Sequence, residues 1–333
     1  MSDRSVRLIE NKCLEDYWYA VALSEDVVDG PLLVKLLDSN YVIWRDLTGS
    51  LVAASELCPH RQMPLSEGHI QKGCLICPYH GWVFGEKGQC KEIPSSNADV
   101  PVPPKAHLST FETTERYGII WLSPGKPKNP LFAIPQEEDP SFRRINTEIQ
   151  SWKVAATRMV DNFLDITHFP FVHVGTFGSA QEKEVPAIKL ESLDNDFFGY
   201  AFDVLAANPS EARSSSGTEE ATVSRSMTTG FNLPFAVRST IAYESGLHHI
   251  ILLISPPIDE TNSYFTFVVW RNDDFEISGE EVIAFDRAIG EEDRIMLEKL
   301  NGPLPLGQTD LANVRADKAS VEWRRQLNEL LNK

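Results

Sequence analysis

An α+β chain of two domains is predicted, with a small all-β domain first and a larger domain of antiparallel strands and flanking helices after it. Three observations predict it. The length, 333 residues, suggests two domains of ordinary size. Five prolines (Pro124, Pro127, Pro130, Pro135 and Pro140) crowd a stretch with few periodic apolar residues, as in a linker or extended crossover. Apolar runs are short and strand-like before that stretch, whereas after it runs of strands are flanked by helical patterns. The boundaries expected are 1–125 for the first domain with an N-terminal extension, 126–145 for the linker and 146–333 for the second domain.

Taken in order, residues 41–44 and 118–122 read as strands of the first domain. In the second, 158–169 reads as a helix in which Met159, Phe163 and Ile166 are apolar. Strand-like runs follow at 188–205, 220–230, 236–256 and 263–271, and 210–220 reads as a mobile loop. From 280 to 300 the residues Val282, Phe285, Ile289, Met296 and Leu300 recur at three- and four-residue steps, the stripe of an amphipathic helix. A last helix is expected at 317–331. No apolar span long enough to cross a membrane and no charged-then-apolar leader is present, so a cytoplasmic protein is expected. Five cysteines without a disulfide-like framework suit that compartment. The net charge of -17 argues against nucleic-acid binding, which needs clustered Lys and Arg.

Two short clusters carry the chemistry of the first domain. Cys58-Pro59-His60 and Cys77-Pro78-Tyr79-His80 each supply one thiolate and one imidazole. Together they make the two-cysteine, two-histidine set that holds a Rieske 2Fe–2S cluster. Zinc is the competing metal, because the same four ligands close a tetrahedral structural site and Cys74-x-x-Cys77 has zinc-ribbon spacing. A ribbon needs a second such pair, however, and Cys58-x-His60 is tight for a zinc knuckle. Cys13, Cys74 and Cys90 read as ordinary small buried residues.

The run from Cys58-Pro-His-Arg61 through Cys77-Pro-Tyr-His-Gly-Trp82 resembles the Rieske domain of the Rieske non-haem iron oxygenases. Respiratory Rieske proteins carry an extra cysteine in each loop; here those positions are Met63 and Tyr79, which points to the lower end of the Rieske potential range.

A second metal is expected from Asn162-Phe-Leu-Asp165-Ile-Thr-His168-Phe-Pro-Phe-Val-His173. Asp165 and His168 are three apart and share a helix face. His173 would point away from His168 in an unbroken helix, but Pro170 distorts the helix and lets it swing back. Two histidines meeting beside a carboxylate begin a 2-His-1-carboxylate triad, which leaves positions open on ferrous iron. Asp293, a charge in the middle of the apolar stripe at 280–300, is the choice for the third ligand. The alternative for Asp293 is a buried salt bridge with Arg287 or Arg294. Glu292 and Asp286 lie at the edges of the stripe and Glu291 points away.

The resemblance implies the rest. In the family the second domain is a helix-grip sheet with iron at the mouth of an apolar cavity. The carboxylate three residues before the first histidine joins two metal sites, which maps onto an Asp165–His168 contact within a chain and an Asp165–His80 contact across a head-to-tail interface. Asn162 matches an asparagine beside the iron, and a homotrimer is the family form. No dinucleotide fingerprint or plant-type ferredoxin spacing is present, so electrons are expected from a separate NAD(P)H-dependent reductase, with or without a ferredoxin.

The phrases at 257–262 and 320–325 look most like the monooxygenase and demethylase branch, which uses O2 to hydroxylate or demethylate small aromatic or heterocyclic molecules. Phe231, Asn232, Phe235 and Tyr243 are pocket candidates by position, and His248 and His249 face opposite sides of a strand. The other readings are a ring cis-dihydroxylating dioxygenase, a Rieske electron carrier with a ligand-binding domain and no second iron, and a zinc-stabilised binding protein.

Overall fold

Short apolar runs, buried along most of their length, fold the N-terminal part into two sheets. The computed structural model describes residues 8–97, 99–178, 183–185, 187–307 and 311–332. It divides into two compact units, with the break between Pro130 and Leu131. The first unit contains β1 (Tyr19–Leu23), β2 (Leu32–Leu36), β3 (Ser39–Arg45), β4 (Leu51–Ser55), β5 (His69–Gln71), β6 (Cys74–Ile76), β7 (Val83–Phe84), β8 (Cys90–Glu92), β9 (Thr110–Arg116) and β10 (Ile119–Ser123). A six-stranded sheet runs in the order β1-β10-β9-β4-β3-β2, and β5-β6-β7-β8 form a separate antiparallel sheet. The two Cys/His loops belong to the smaller sheet, one leading into β5 and the other joining β6 to β7. Cys58 and Cys77 are packed with Trp44, Leu65, Leu75, Phe84 and Leu108, so the sulfur ligands are part of the core.

The second unit is a long antiparallel sheet with helices laid on it. Its strands are β11 (Arg143–Asn146), β12 (Gln150–Trp152), β13 (Glu191–Ser192), β14 (Phe198–Ala207), β15 (Thr222–Asn232), β16 (Ala236–Tyr243), β17 (His248–Ile254) and β18 (Ser263–Arg271). They pair in the order β11-β18-β17-β16-β15-β14-β13, with β12 also on β18. The helices are α1 (Ala156–Leu164), α2 (Phe169–Val172), α3 (Arg213–Ser216), α4 (Gly279–Leu297) and α5 (Lys318–Leu331). Trp152, Met159, Phe265, Phe267, Val282 and Leu297 form the core that seats α1 and α4 against the sheet. Helix α4 opens on Ser278, whose side chain accepts a hydrogen bond from the Glu281 N–H, and Glu280 and Glu281 favour its positive end. A β domain followed by an antiparallel-sheet domain with helices is the fold class expected from the sequence.

Several elements differ from the sequence reading. The helix expected at 158–169 stops at Leu164, because the Asp165 carboxylate Oδ1 accepts from both the N–H and the hydroxyl of Thr167 at 2.7 Å and turns the chain. Pro170 therefore breaks nothing: it sits in the first turn of α2, where a missing N–H is harmless. The run 236–256 is a hairpin turning at 244–247, and 188–205 is interrupted between Ser192 and Phe198. Part of the stretch read as a linker is structured, since β11 is an edge strand whose Arg143 pairs with Arg271 of β18. Two short helical turns, Ser210–Ala212 and α3, lie within the segment read as a loop.

Helix α5 locks α1 to the sheet. Trp323 is fully buried and its indole N–H donates to the Pro234 carbonyl at 3.0 Å, while the Ser320 hydroxyl donates to the Asp161 carbonyl of α1 at 3.1 Å. Trp323→Ala is expected to cost about 3–5 kcal/mol. The urea midpoint of the second unit should fall accordingly, while the cluster absorption of the first unit persists below that midpoint.

Candidate redox and metal centres

The two cluster loops repeat one backbone turn. The Cys58 N–H donates to the Met63 carbonyl at 3.0 Å and the Gln62 N–H to the Cys58 carbonyl at 2.8 Å. In the second loop the Cys77 N–H donates to Trp82 at 2.9 Å and the Gly81 N–H to Cys77 at 3.0 Å. Gln62 and Gly81 occupy the same place in the turn, and both have left-handed backbone, with φ of 56° and 70°. The histidines do not occupy the same place: His60 is two residues after its cysteine and His80 three after. Their rings nonetheless meet at 4.4 Å between centroids, and His60 stacks on Trp82 at 4.7 Å.

These residues fit a Rieske cluster. His60 Nδ1 is buried and has no hydrogen-bond partner, as expected of a nitrogen reserved for metal. Burial, and the adjoining Cys77 thiol, push Cys58 up to about 11, although the N–H groups of His60 and Arg61 point at its sulfur. Metal binding to the thiolate removes that cost, and the two N–H groups then stabilise the charge.

The second centre is assembled from three elements of the second unit. Asp165, at the end of α1, places Oδ2 at 3.0 Å from Nδ1 of His168. This turns the His168 Nε2 towards Nε2 of His173 at 3.1 Å. His173 closes α2 and is held from behind by Glu292, whose Oε2 lies 2.9 Å from Nδ1 and also accepts the Thr176 hydroxyl at 2.7 Å. Asp293 of α4 completes the set, its Oδ1 lying 3.5 Å from both Nε2 atoms. Neither Arg287 nor Arg294 pairs with it; they pair with Glu280 and Glu291. Asn162 of α1 donates to Asp293 Oδ1 at 3.1 Å.

Electrostatics at this point favour a cation. Asp165 is held below the usual carboxylate range by His168 and Thr167 although burial opposes this. Burial also opposes protonation of His168, yet Asp165 and Asp293 carry it up to about 9. Burial holds His173 below its usual range. Two imidazole nitrogens 3.1 Å apart leave room for one shared proton or one metal ion. Ligand atoms about 2.0–2.2 Å from a common ion lie roughly 3.0–3.5 Å apart when adjacent, which the three measured separations match. Two nitrogens and one carboxylate oxygen, all within 4.8 Å of one another, could hold one metal ion, and a 2-His-1-carboxylate set suits ferrous iron with other positions left open.

A cavity opens from this triad along the sheet. Ile241, Ile251, Leu253, Phe265, Phe267 and Ile289 supply apolar walls, and Gly290 leaves space against Phe265. Of the four pocket candidates read from the sequence, Tyr243 lines the cavity; Phe231, Asn232 and Phe235 do not. Asn232 instead donates to the Asp196 carbonyl at 2.7 Å, tying a turn to the sheet. His249 faces the cavity and His248 is exposed. Sequence reasoning missed Glu292, Arg225 and Asp286 as site residues. Glu292 and Asp286 were visible at the edges of the α4 stripe, and for Glu292 the signal passed over was a second carboxylate next to the proposed ligand Asp293.

A sulfur- and imidazole-lined β domain followed by a triad-bearing sheet cavity defines a Rieske-type non-haem iron oxygenase. Comparison with known proteins agrees. Residues 17–112 match the Rieske [2Fe-2S] domain family, and residues 152–333 match the vanillate O-demethylase oxygenase C-terminal domain family. Methylxanthine N1-demethylase NdmA of Pseudomonas putida is 30% identical over 96% of this chain and 90% of its own length. The N3-demethylase NdmB of that organism is 26% identical over 99% and 93%. The structure of NdmA with caffeine superposes with a TM-score of 0.84 at 28% identity, covering 97% of this chain and 93% of that one. Dicamba monooxygenase bound to dicamba, at 24% identity, shares the fold, with a TM-score of 0.79 over 96% and 98% of the two chains. The chain belongs to the vanillate O-demethylase-type branch of the Rieske oxygenases, enzymes that use a 2Fe–2S cluster, a mononuclear iron and O2. Among the described residues no helix is long and apolar enough to cross a membrane.

Removing the support behind His173 tests the second centre. Glu292→Ala is expected to lower iron affinity about 10–100-fold, read by competition with a chelator, without altering the visible spectrum of the cluster.

Proposed function

We propose that this chain is the oxygenase component of a system that removes or hydroxylates a methyl group on a small aromatic or heterocyclic molecule. In this reading Cys58, His60, Cys77 and His80 hold the Rieske cluster, and His168, His173 and Asp293 hold the iron. When bound, the cluster supplies single electrons and the ferrous ion activates dioxygen beside the substrate. The observation that carries the reading is the convergence of two carboxylate-backed imidazoles and Asp293 in the lining of an apolar cavity.

The residues have separable tasks. Asp165 and Glu292 accept from the rear nitrogens of the two histidines, fixing each ring with Nε2 forward. Asn162 restrains Asp293. The apolar walls exclude water and hold the methyl group at the triad. In the overall reaction a methyl C–H bond and O2, with two electrons and two protons, give a hydroxymethyl group and water. An O- or N-hydroxymethyl product then loses formaldehyde. Electrons come from a separate NAD(P)H-dependent reductase, directly or through a ferredoxin.

A homotrimer joined head to tail supports transfer between centres of neighbouring copies, because rotation closes such a heterologous contact into a ring. His80 is exposed on its loop and Asp165 is partly open, which leaves both free to meet across such an interface. The cytoplasm is the compartment that suits free thiols at Cys13, Cys74 and Cys90.

Iron, zinc and acid-labile sulfide per chain, measured on anaerobically purified protein, test the cofactors. Three irons and two sulfides are expected; zinc without sulfide would overturn the reading. Asp165→Asn is expected to keep cluster and iron while lowering turnover by at least about 100-fold, and retained turnover would remove the bridging role. Formaldehyde formed in step with substrate loss marks demethylation, whereas a cis-diol product would assign the ring-dihydroxylating alternative.

A further inference from the structure

A cleft on the flank of α4 shares a wall with the cavity that holds the triad. It has a volume of about 180 Å³ and lies between α4, β18 and the chain from Thr147 to Trp152. Its rim is polar and partly exposed, with Glu148 and Gln150 on one side and Arg287 and Glu291 on the other. Its floor is Trp152, Phe265, Phe267 and Gly290, and the last three also line the triad cavity. Arg287 straps the rim, pairing with Glu148 at 3.3 Å and with Glu280 of its own helix.

Gly290 is the thin point of the shared wall. It stands in the interior of α4, where glycine is destabilising relative to alanine. Nothing in the packing demands it: a Cβ there would meet only Phe265 ring carbons, at 3.6 and 4.0 Å, an ordinary contact. Gly279 of the same helix, by contrast, would press on Ile145 at 3.2 Å. The backbone at Gly290 is helical, so no left-handed turn needs it either. What this glycine supplies is unfilled space. The Phe265 ring is fixed beside that space by Trp152, at 4.2 Å, and Phe163, at 5.7 Å. Asp293 follows one turn later on the same face, and helix side chains lean towards the N-terminus, so its carboxylate reaches back over Gly290.

We propose that this cleft is a separate entrance for dioxygen, which passes between Phe265 and Gly290 to reach His168, His173 and Asp293. The inference rests on the oxygenase reading of the cavity. In that reading an organic substrate with its methyl group at the triad fills the main cavity, and a co-substrate that follows it needs another way in. The floor of the cleft suits a small uncharged gas, because apolar pockets stay dry and take up such molecules, xenon included. A gap the width of one absent side chain suits a diatomic molecule and not a ring.

Xenon and nitric oxide are the probes, the first needing no iron. Crystals pressurised with xenon are expected to show it over Gly290 beside Phe265, and Gly290→Val should remove it; a cleft without xenon overturns the proposal. Holoenzyme with iron and sulfide verified is then reduced without oxygen and mixed with nitric oxide in stopped flow, and nitrosyl formation at ferrous iron is timed. An Ile241→Phe background is used, whose added ring takes the substrate's place in the main cavity; Ile251→Phe serves if that protein does not fold. Forcing a gas past the added valine methyl groups is an overpacking cost, so Gly290→Val should slow the nitrosyl about tenfold. Arg287→Ala, at a position that lines only the cleft, unstraps the rim and should hasten it. If Gly290→Val fails to fold, Gly290→Ala, which helix propensity favours, is read in its place for a smaller slowing. An unchanged rate in the glycine variant overturns the route. Slowing there with no change in Arg287→Ala overturns it too, since gas then meets Gly290 from the main cavity. Xenon in the cleft of a protein that forms no nitrosyl defeats the oxygenase reading, and the route falls with it.

Discussion

The Asp165 carboxylate is the constraint on which the second centre depends. One oxygen takes both donors of Thr167 and ends α1; the other holds the rear nitrogen of His168. A longer helix would carry His168 round with the helix surface and leave no room for α2. The same side chain thus sets the chain path and the ring orientation, which is why a buried, hydrogen-bonded carboxylate is worth its desolvation here.

Glu292 repeats this logic from the opposite side. It backs His173 as Asp165 backs His168, and it comes from the residue next to Asp293. The triad is therefore gripped between α1 and α4, each contributing a carboxylate behind one imidazole, with Asn162 and Asp293 closing the remaining side. Such outer hydrogen bonds fix the tautomer as well as the angle of a ligand ring. They also explain why unlike local environments, with His173 depressed by burial and His168 raised by two carboxylates, still converge on one point.

Much of this was legible in the sequence where spacing alone carries the chemistry. Cys58, His60, Cys77 and His80 stand out because few structures need two thiols and two imidazoles at that density. Asp293 stands out because a charge interrupts a stripe. What was not legible depends on long-range pairing. The end of α1 at Leu164 follows from an Asx turn that competes with a good helical pattern, and periodicity cannot rank the two. The hairpin at 244–247 joins two apolar strands with the composition of one long run. Arg225 and His249 fall within ordinary strands, and only the register of the sheet brings them to one cavity. Phe231 and Phe235 had the right character for a pocket but are buried away from the cavity lining, Phe231 packing edge-on against Phe198.

Helix α4 carries Asp293 and Asp286 on one face, two turns apart, and its rotation about its own axis is set by the triad. A single-residue insertion or deletion between them would swing one carboxylate about 100° away from the other. The helix therefore behaves as a ruler with both ends engraved. Drift in the lining of the cavity is channelled to the facing strands, where Arg225, Tyr243 and Ile241 can change without disturbing the meeting of His168, His173 and Asp293.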